Sequence, residues 1–348
     1  MTKVDLKKYG TLVNEILVKG GIKKEIAEQI ADCMIMTDRF GIWSHGTVNL
    51  AKYMKKYAAG GFRGDVEPTV ADDGPTWARL DGHDGFGMYN GRVAIDLAMK
   101  KAQKSGMAFV TVKNSGHFGA CAAYTVYAAE KGYLAIAMSN TNKNMCVPGG
   151  KGNVIGNSPV SYAIPRKEGH PIFMDIALSQ VAKLKIVDYQ KKGLEVPEGW
   201  AVDKDGLPTT KPQGNDFSLC PMSAHKGYCM SFFVEYMTAV LSGGVLSPIS
   251  WLFGPLEQSP GTSHSFFVMD VKHIAGEELF DRTEAYTEGI VSSPKAAGSD
   301  KIYYPGEINW ISFDKTEKDG LILPDTTAAA VNEAAENAGL SLDSCVIA

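Results

Sequence analysis

Two of the seven histidines stand where small neighbours leave space for a ligand: His45 in Ser44-His45-Gly46 and His117 in Gly116-His117-Phe118-Gly119. An imidazole titrates near neutral pH, so either ring can protonate an oxygen or nitrogen while the carbon beside it changes oxidation state. Reduction of a carbonyl calls for such an acid, because a hydride arriving at carbon otherwise leaves a free alkoxide in the site. A histidine in that role needs a partner that holds its tautomer, usually a carboxylate. Asp175, which ends an apolar run at 172–175 and precedes Ser179, has the best context for it. An Asp before a helix is also an ordinary N-cap, so both roles stay open. Arg39 offers a fork for a substrate carboxylate, or else a solvated cation at a helix end.

The elements that hold these side chains follow from periodicity. Tyr9, Leu12, Val13, Ile16 and Leu17 recur at helical spacing as far as Gly20-Gly21. Ile22, Ile26, Ile30, Cys33 and Met34 then repeat the pattern to Arg39-Phe40-Gly41. A third helix carries Val48, Ala51, Met54 and Tyr57 to Gly60-Gly61, which puts Ser44-His45-Gly46 at a junction between helices. After a short apolar stretch at 77–80, Val93, Ala94, Leu97 and Ala98 mark another helix. Residues 107–112 predict a buried strand, 114–119 the turn bearing His117, 120–131 a helix and 134–138 a second strand, together one β-turn-α-β unit. An extended run at 159–165, a strand at 172–175, helices at 181–191 and 228–241 and an inner strand at 265–271 follow, and an exposed Ala-rich helix at 325–338 comes last.

The 348 residues exceed the roughly 100–200 of one ordinary domain, so two domains are expected. Hydrophobic residues at 45% and charged residues at 21% match a globular enzyme. With a net charge of -4, a pI near 6.0 and no basic cluster, nucleic acid is not an expected partner. No apolar run reaches the ~20 residues that span a bilayer, and MTKVDLKKYG lacks the apolar core of a signal peptide. The expectation is a cytoplasmic protein with no membrane partner. The six cysteines are scattered without a CxxC pair and read as reduced thiols.

Two segments invite phosphate. Gly150-Lys151-Gly152-Asn153-Val154-Ile155-Gly156 has one residue too many for a dinucleotide fingerprint, and Asn157-Ser158-Pro159-Val160 cannot open the helix such a fingerprint needs. A Rossmann site is therefore rejected there; the loop either presents backbone N–H groups to an anion or is a plain turn. His225-Lys226-Gly227 precedes a strong helix, where cationic side chains and free N–H groups converge, unless it is an exposed loop. No histidine pair has a spacing such as HExxH, so no metal is expected from His45, His117 and Asp175.

Taken together, Asp38-Arg39-Phe40-Gly41-Ile42-Trp43-Ser44-His45-Gly46, the 114–119 turn, Gly156-Asn157-Ser158-Pro159, Lys226-Gly227-Tyr228 with Glu235, and Pro305-Gly306-Glu307 resemble the malate/L-lactate dehydrogenase-like (type 2) oxidoreductases. That family includes ureidoglycolate dehydrogenases, 2,3-diketogulonate reductases and sulfolactate dehydrogenases. The resemblance implies an α/β (α+β), non-Rossmann fold of the sulfolactate dehydrogenase kind. A helical domain of residues 1–75 would be completed by 305–348, and residues 76–304 would form an NAD(P)-binding domain on a mainly antiparallel sheet. It implies a homodimer whose cleft takes NAD or NADP.

By the same resemblance His45 and His117 line the reaction site, with His45 the proton donor, supported by Ser44 and Asp175. Cofactor contacts fall on Ser139, Asp175, Ile176, Ala177, Lys226, Gly227, Pro305, Gly306 and Glu307. Relatives usually carry arginine three residues after the Gly of Ser-His-Gly, where this chain has Asn49. Substrate contact is accordingly expected from Asn49 and Arg39. The implied activity is reversible hydride transfer between nicotinamide and a small polar 2-hydroxy/2-oxo acid or related ketone. The alternatives are reduction of a cyclic imine or of a sulfonated or sugar keto acid, a metal-dependent lyase or hydrolase using the same histidines, and a binding protein without turnover.

Overall fold

The apolar stripes of the N-terminal helices bury against each other and against the end of the chain. The structure, a computed structural model, describes residues 1–252 and 254–347. Strand β1 (Thr2–Val4) leads into α1 (Leu6–Lys19), whose N-cap Asp5 accepts the Lys8 N–H at 2.8 Å and whose Tyr9, Leu12, Val13, Ile16 and Leu17 are buried. Helix α2 (Lys24–Arg39) turns Ile26, Ile30, Cys33 and Met34 inward and, one turn further on the same stripe, Thr37 and Asp38. A run of turns at residues 40–46 and a 3-10 turn at Thr47–Asn49 separate it from α3 (Leu50–Ala58).

The central region begins with β2 (Thr69–Gly74) and β3 (Trp77–Gly85), then α4 (Gly87–Ser105), β4 (Met107–Ser115), α5 (Ala122–Ala129), β5 (Tyr133–Ser139), β6 (Val160–Ile164) and β7 (Ile172–Ile176). A lobe follows with α6 (Lys183–Lys191) and the short strands β8 (Ala201–Val202), β9 (Pro208–Thr209) and β10 (Ser218–Leu219). Helix α7 (His225–Glu235) continues through a π-helical segment at Tyr236–Val240 into β11 (Thr262–Asp270), α8 (Val271–Ala275) and α9 (Glu278–Val291). The chain closes with α10 (Glu307–Asp319), β12 (Leu321–Leu323) and α11 (Asp325–Asn337).

Seven strands form the main sheet in the order β2-β3-β4-β11-β5-β6-β7, and only β3 and β4 pair in parallel. The expected β-turn-α-β unit is present as β4, α5 and β5, but its two strands do not touch. Strand β11 lies between them, antiparallel to both. Its weak alternation has a simple cause. His264 and Phe266 pack toward Phe118 and Tyr124 on the α5 side, while Ser263 faces Gly244 on the other, so both faces are buried. Helix α4 comes close to this strand because Gly91 has no side chain; a Cβ there would stand 2.7 Å from the Tyr124 ring and 3.3 Å from that of Phe266.

The termini meet. Strands β1 and β12 pair in antiparallel fashion, and Val4 bridges Val346. Helix α11, expected to be exposed, packs Thr327, Val331, Ala334 and Ala335 inward against α1, α3 and the turn at Thr47–Asn49. Small alanines hide its inner stripe from a hydrophobicity count. Among the described residues no helix is long and apolar enough to cross a membrane.

Phe266 is fully buried at the middle of the central strand. Phe266→Ala should therefore cost about 3–5 kcal/mol, read as a lower midpoint in denaturant unfolding. A loss below 1 kcal/mol would mean that the sheet centre collapses around the missing ring.

Candidate active site

The junction between α2 and α3 is shaped by one buried carboxylate. Asp38, wholly inaccessible, accepts the Thr47 N–H at 3.2 Å (Oδ2) and 3.3 Å (Oδ1), together with the Thr47 hydroxyl, which also meets the Tyr9 phenol at 2.6 Å. Gly46 lies directly against it; a Cβ at that position would stand 1.8 Å from Oδ1. No residue but glycine fits without moving the carboxylate. Burial with no facing cation lifts the Asp38 pKa to about 7, although the bonds from Thr47 pull the other way.

On this support Ser44 is exposed and His45 half-buried. The Ser44 hydroxyl meets His45 Nδ1 at 2.7 Å, which leaves Nε2 as the nitrogen available to a ligand. Asn49 Nδ2 donates to the Ser44 carbonyl at 2.9 Å. Burial lowers the His45 pKa, so its imidazolium is a stronger acid than free histidine.

The second imidazole sits close by, the His45 and His117 ring centroids being 5.7 Å apart. His117 Nδ1 is hydrogen-bonded to the phenol of the buried Tyr53. Its ring stacks on Trp251 at 4.4 Å and 19°, and Tyr53 stacks on the same indole at 4.7 Å. Burial first, then the neighbouring His45, pushes the His117 pKa well down.

Behind this turn Phe118 lies flat on His264, with ring centroids 4.2 Å apart and planes 6° apart. His264 Nε2 stands 3.1 Å from the Gly116 carbonyl, which can only accept, so Nε2 carries the proton and Nδ1 accepts from the Ser139 hydroxyl at 3.0 Å. Burial holds His264 down to about 3, and it stays neutral. Ser139, expected at the cofactor, is buried and engaged in this support.

Asp175 at the end of β7 spends its carboxylate on backbone. Oδ2 accepts the Ala122 N–H at 2.8 Å, Cys121 N–H adds a second bond, and burial raises the pKa to about 6. It does cap a helix, yet that helix is α5, which opens just after the His117 turn, rather than the one following Asp175 in sequence. Neither histidine is among its hydrogen-bond partners.

The expected substrate contacts fall elsewhere. Arg39 Nε donates to the Thr316 hydroxyl at 2.9 Å, its guanidinium pairs with Glu317, and its Cζ sits 3.4 Å from the Phe313 ring centroid. It joins α2 to α10 and has no spare fork for a substrate. Asn49 is buried and holds the Ser44 loop.

The remaining expected residues lie along β7 and just beyond it. Gly227 packs so tightly that a Cβ would lie 2.6 Å from the Leu178 carbonyl, two positions beyond Ile176 and next to the exposed Ala177. Lys226 is exposed in the first turn of α7, which no side chain caps and which Ser223 and Ala224 enter at φ 48° and 55°. From the other side Pro305 accepts the Phe173 N–H at 3.1 Å, and Gly306 takes φ 87° with a Cβ position 2.5 Å from the Phe173 ring. Glu307 pairs with Lys301 and accepts the Tyr304 N–H at 3.2 Å. Gly227 thus packs just beyond the end of β7, Pro305 and Gly306 pack on Phe173 near its start, and Asp175 ties the strand to the segment after the histidine turn through α5.

Four residues of this arrangement escape a reading of local motif chemistry: Asp38, Tyr53, Trp251 and His264. Asp38 had a signal, a carboxylate on the apolar stripe of α2; Trp251 had none. Among the described residues, no three His, Cys, Asp or Glu side chains cluster as metal ligands.

Comparison with known proteins agrees across nearly the whole chain. Residues 4–332 match the family model described as malate/L-lactate dehydrogenase. A malate dehydrogenase of Pyrococcus horikoshii is 32% identical over 340 residues, covering 95% of this chain and 94% of the relative. A Delta(1)-pyrroline-2-carboxylate/Delta(1)-piperideine-2-carboxylate reductase of Pseudomonas syringae pv. tomato is 29% identical over 327 residues, covering 93% and 94%. The solved sulfolactate dehydrogenase of Methanocaldococcus jannaschii superposes with a TM-score of 0.90 at 27% identity, covering 99% of each chain.

A carboxyl raised by burial favours the folded state at low pH, and that contribution is lost as pH climbs from the unfolded value near 4 toward the folded value of about 7. Asp38→Asn should therefore gain on the parent by up to about 4 kcal/mol across that window and no more above it. Unfolding midpoints measured from pH 4 to 8 test this, and a difference independent of pH would show that Asp38 does not titrate.

Proposed function

The chain belongs to the malate/L-lactate dehydrogenase family and is an oxidoreductase acting on CH–OH or C=N groups; from that premise we propose that it reversibly converts a small 2-oxo acid to the 2-hydroxy acid, with His45 as the acid. One observation carries this: two imidazoles 5.7 Å apart, each with Nδ1 engaged by a hydroxyl of the protein. Both Nε2 atoms are left for the substrate. His45 gives its proton to the substrate oxygen in reduction and recovers it in oxidation. Its lowered pKa suits both directions, because the imidazolium gives up the proton readily and the neutral ring can take it back. His117, held by Tyr53 and Trp251, orients the same oxygen, and the indole walls off water.

The cofactor proposed is a nicotinamide dinucleotide, NAD or NADP. The uncapped first turn of α7, with Lys226 exposed beside it, fits an anionic pyrophosphate, and Gly227 packs on the chain just after residues 175–177. Bound there, the nicotinamide supplies or accepts the hydride at the substrate carbon. The P. horikoshii relative supports the hydroxy-acid reading, and the P. syringae relative supports a second one, reduction of a cyclic imine carboxylate, which needs the same acid for nitrogen. Neither relative's name supports the lyase or hydrolase alternative.

The expected division into 1–75 with 305–348 and 76–304 belongs to the same proposal, supported by the pairing of β1 with β12, as does a cytoplasmic location. So does a homodimer. Phe232, Phe233, Tyr236 and Val240 expose one apolar face of α7 and its π segment, which continues through Val245 and Leu246. A face of this kind is characteristic of subunit contacts.

His45→Ala should lower turnover by about 10² to 10⁴ while dinucleotide affinity is kept. A panel of 2-oxo acids, sulfonated and sugar keto acids and cyclic imines, followed by NADH and NADPH consumption, identifies the substrate on which to measure it; full activity in the variant removes His45 from the chemistry. Phe232→Glu combined with Leu246→Glu should halve the mass seen by light scattering, and an unchanged dimer would place the interface elsewhere.

A further inference from the structure

Cys146 and Cys220, far apart in sequence, are brought into register by a short parallel pairing. Met145 bridges Leu219, with the Cys146 N–H donating to the Leu219 carbonyl and the Leu219 N–H to the Asn144 carbonyl, each at 3.0 Å. The next opposed positions are Cys146 and Cys220. Opposed side chains of parallel neighbours leave the ladder on the same face, about 4.8 Å apart, within the span of roughly 4.4–6.8 Å between Cα atoms that a disulfide bridges. Both residues line a cavity of about 700 Å³, together with Lys151, Gln180 and Ala224.

The two thiols act on each other. The Cys220 S–H holds Cys146 below the ordinary thiol range, while the same contact pushes Cys220 up. Cys146 is buried and Cys220 half-buried, yet both border a cavity that Lys151 also lines, so a small ligand entering it would meet the two sulfurs at its wall. The proposed hydride chemistry uses neither sulfur.

We propose that Cys146 and Cys220 form a thiol–disulfide exchange site for a small disulfide of the glutathione class. The Cys146 thiolate attacks one sulfur of that disulfide; the S–S bond breaks, one small thiolate leaves with the proton Cys146 gave up, and a mixed disulfide remains on Cys146. The Cys220 sulfur then attacks Cys146 Sγ, and the second small thiolate leaves with the Cys220 proton. Two protein thiols are oxidised to one cystine, and one small disulfide is reduced to two thiols. The bond would tie the loop after β5 to the lead into α7. That lead is already anchored, since the Cys220 N–H donates to the Trp200 carbonyl at 3.0 Å and the Cys220 carbonyl accepts the Gln180 N–H at 2.8 Å.

Full-length protein is treated with glutathione disulfide, its free thiols are alkylated, and its peptides are mapped by mass spectrometry. The expected result is loss of both Cys146 and Cys220 from the alkylated set, a peptide pair linked through them, and recovery of both thiols with reductant. Cys220→Ser should trap glutathione on Cys146, and Cys146→Ser should leave Cys220 unmodified, with thermal unfolding confirming that each variant is folded. Both thiols still alkylatable in the parent protein would overturn the site. So would equal adducts on the two variants, and if a variant does not fold, the map of the parent protein decides alone.

Discussion

A carboxylate placed where apolar side chains belong organises this molecule's chemistry. Asp38 has no cation to neutralise it and is shut off from bulk solvent, so its free energy rests on Thr47 and on the close approach of Gly46. A buried polar group left without partners costs more than its bonds return when they are made, which is why the loop around it has one shape. Ser44 and His45 inherit that shape. The same interaction reaches Tyr9 in α1 through the Thr47 hydroxyl, so the N-terminal helices and the turn that displays His45 are one packed unit.

His117 is held by a different device, a stack. Tyr53, Trp251 and His117 lie nearly parallel, and behind them Phe118 rests flat on a histidine that stays neutral at any physiological pH. His264 serves as a rigid donor and acceptor, tying β11 to the turn after β4 and to the end of β5. The strand that bridges the two halves of the β4-α5-β5 unit therefore also carries the side chain that locks the His117 turn in place. Asp175 completes the frame, since its bonds to the start of α5 connect β7 to the segment leaving His117.

Charge is managed by burial rather than pairing. Burial biases His45 and His117 toward the neutral form and raises the carboxyl pKa values of Asp38 and Asp175. An incoming anionic substrate would meet an imidazole able to take up a proton with it. The absence of an arginine at position 49 fits that economy: Asn49 holds the Ser44 carbonyl instead, and Arg39 is committed to α10.

Local pattern was enough for the three N-terminal helices, the β-turn-α-β unit and the absence of a Rossmann helix after the glycine loop, and it singled out His45 and His117, which the fold brings side by side. Each depends on spacing along the chain or on small residues next to a functional group, which a sequence displays directly. Other features were decided only when distant segments met. Strand β11 enters between β4 and β5, α11 folds its alanines inward, Asp175 caps a helix that precedes it in sequence, and Trp251 comes to rest on His117. The physical reason is the same in each case: a hydrogen bond or a stack joins groups whose separation along the chain carries no information, and the free energy of burying them together exists only in the folded core.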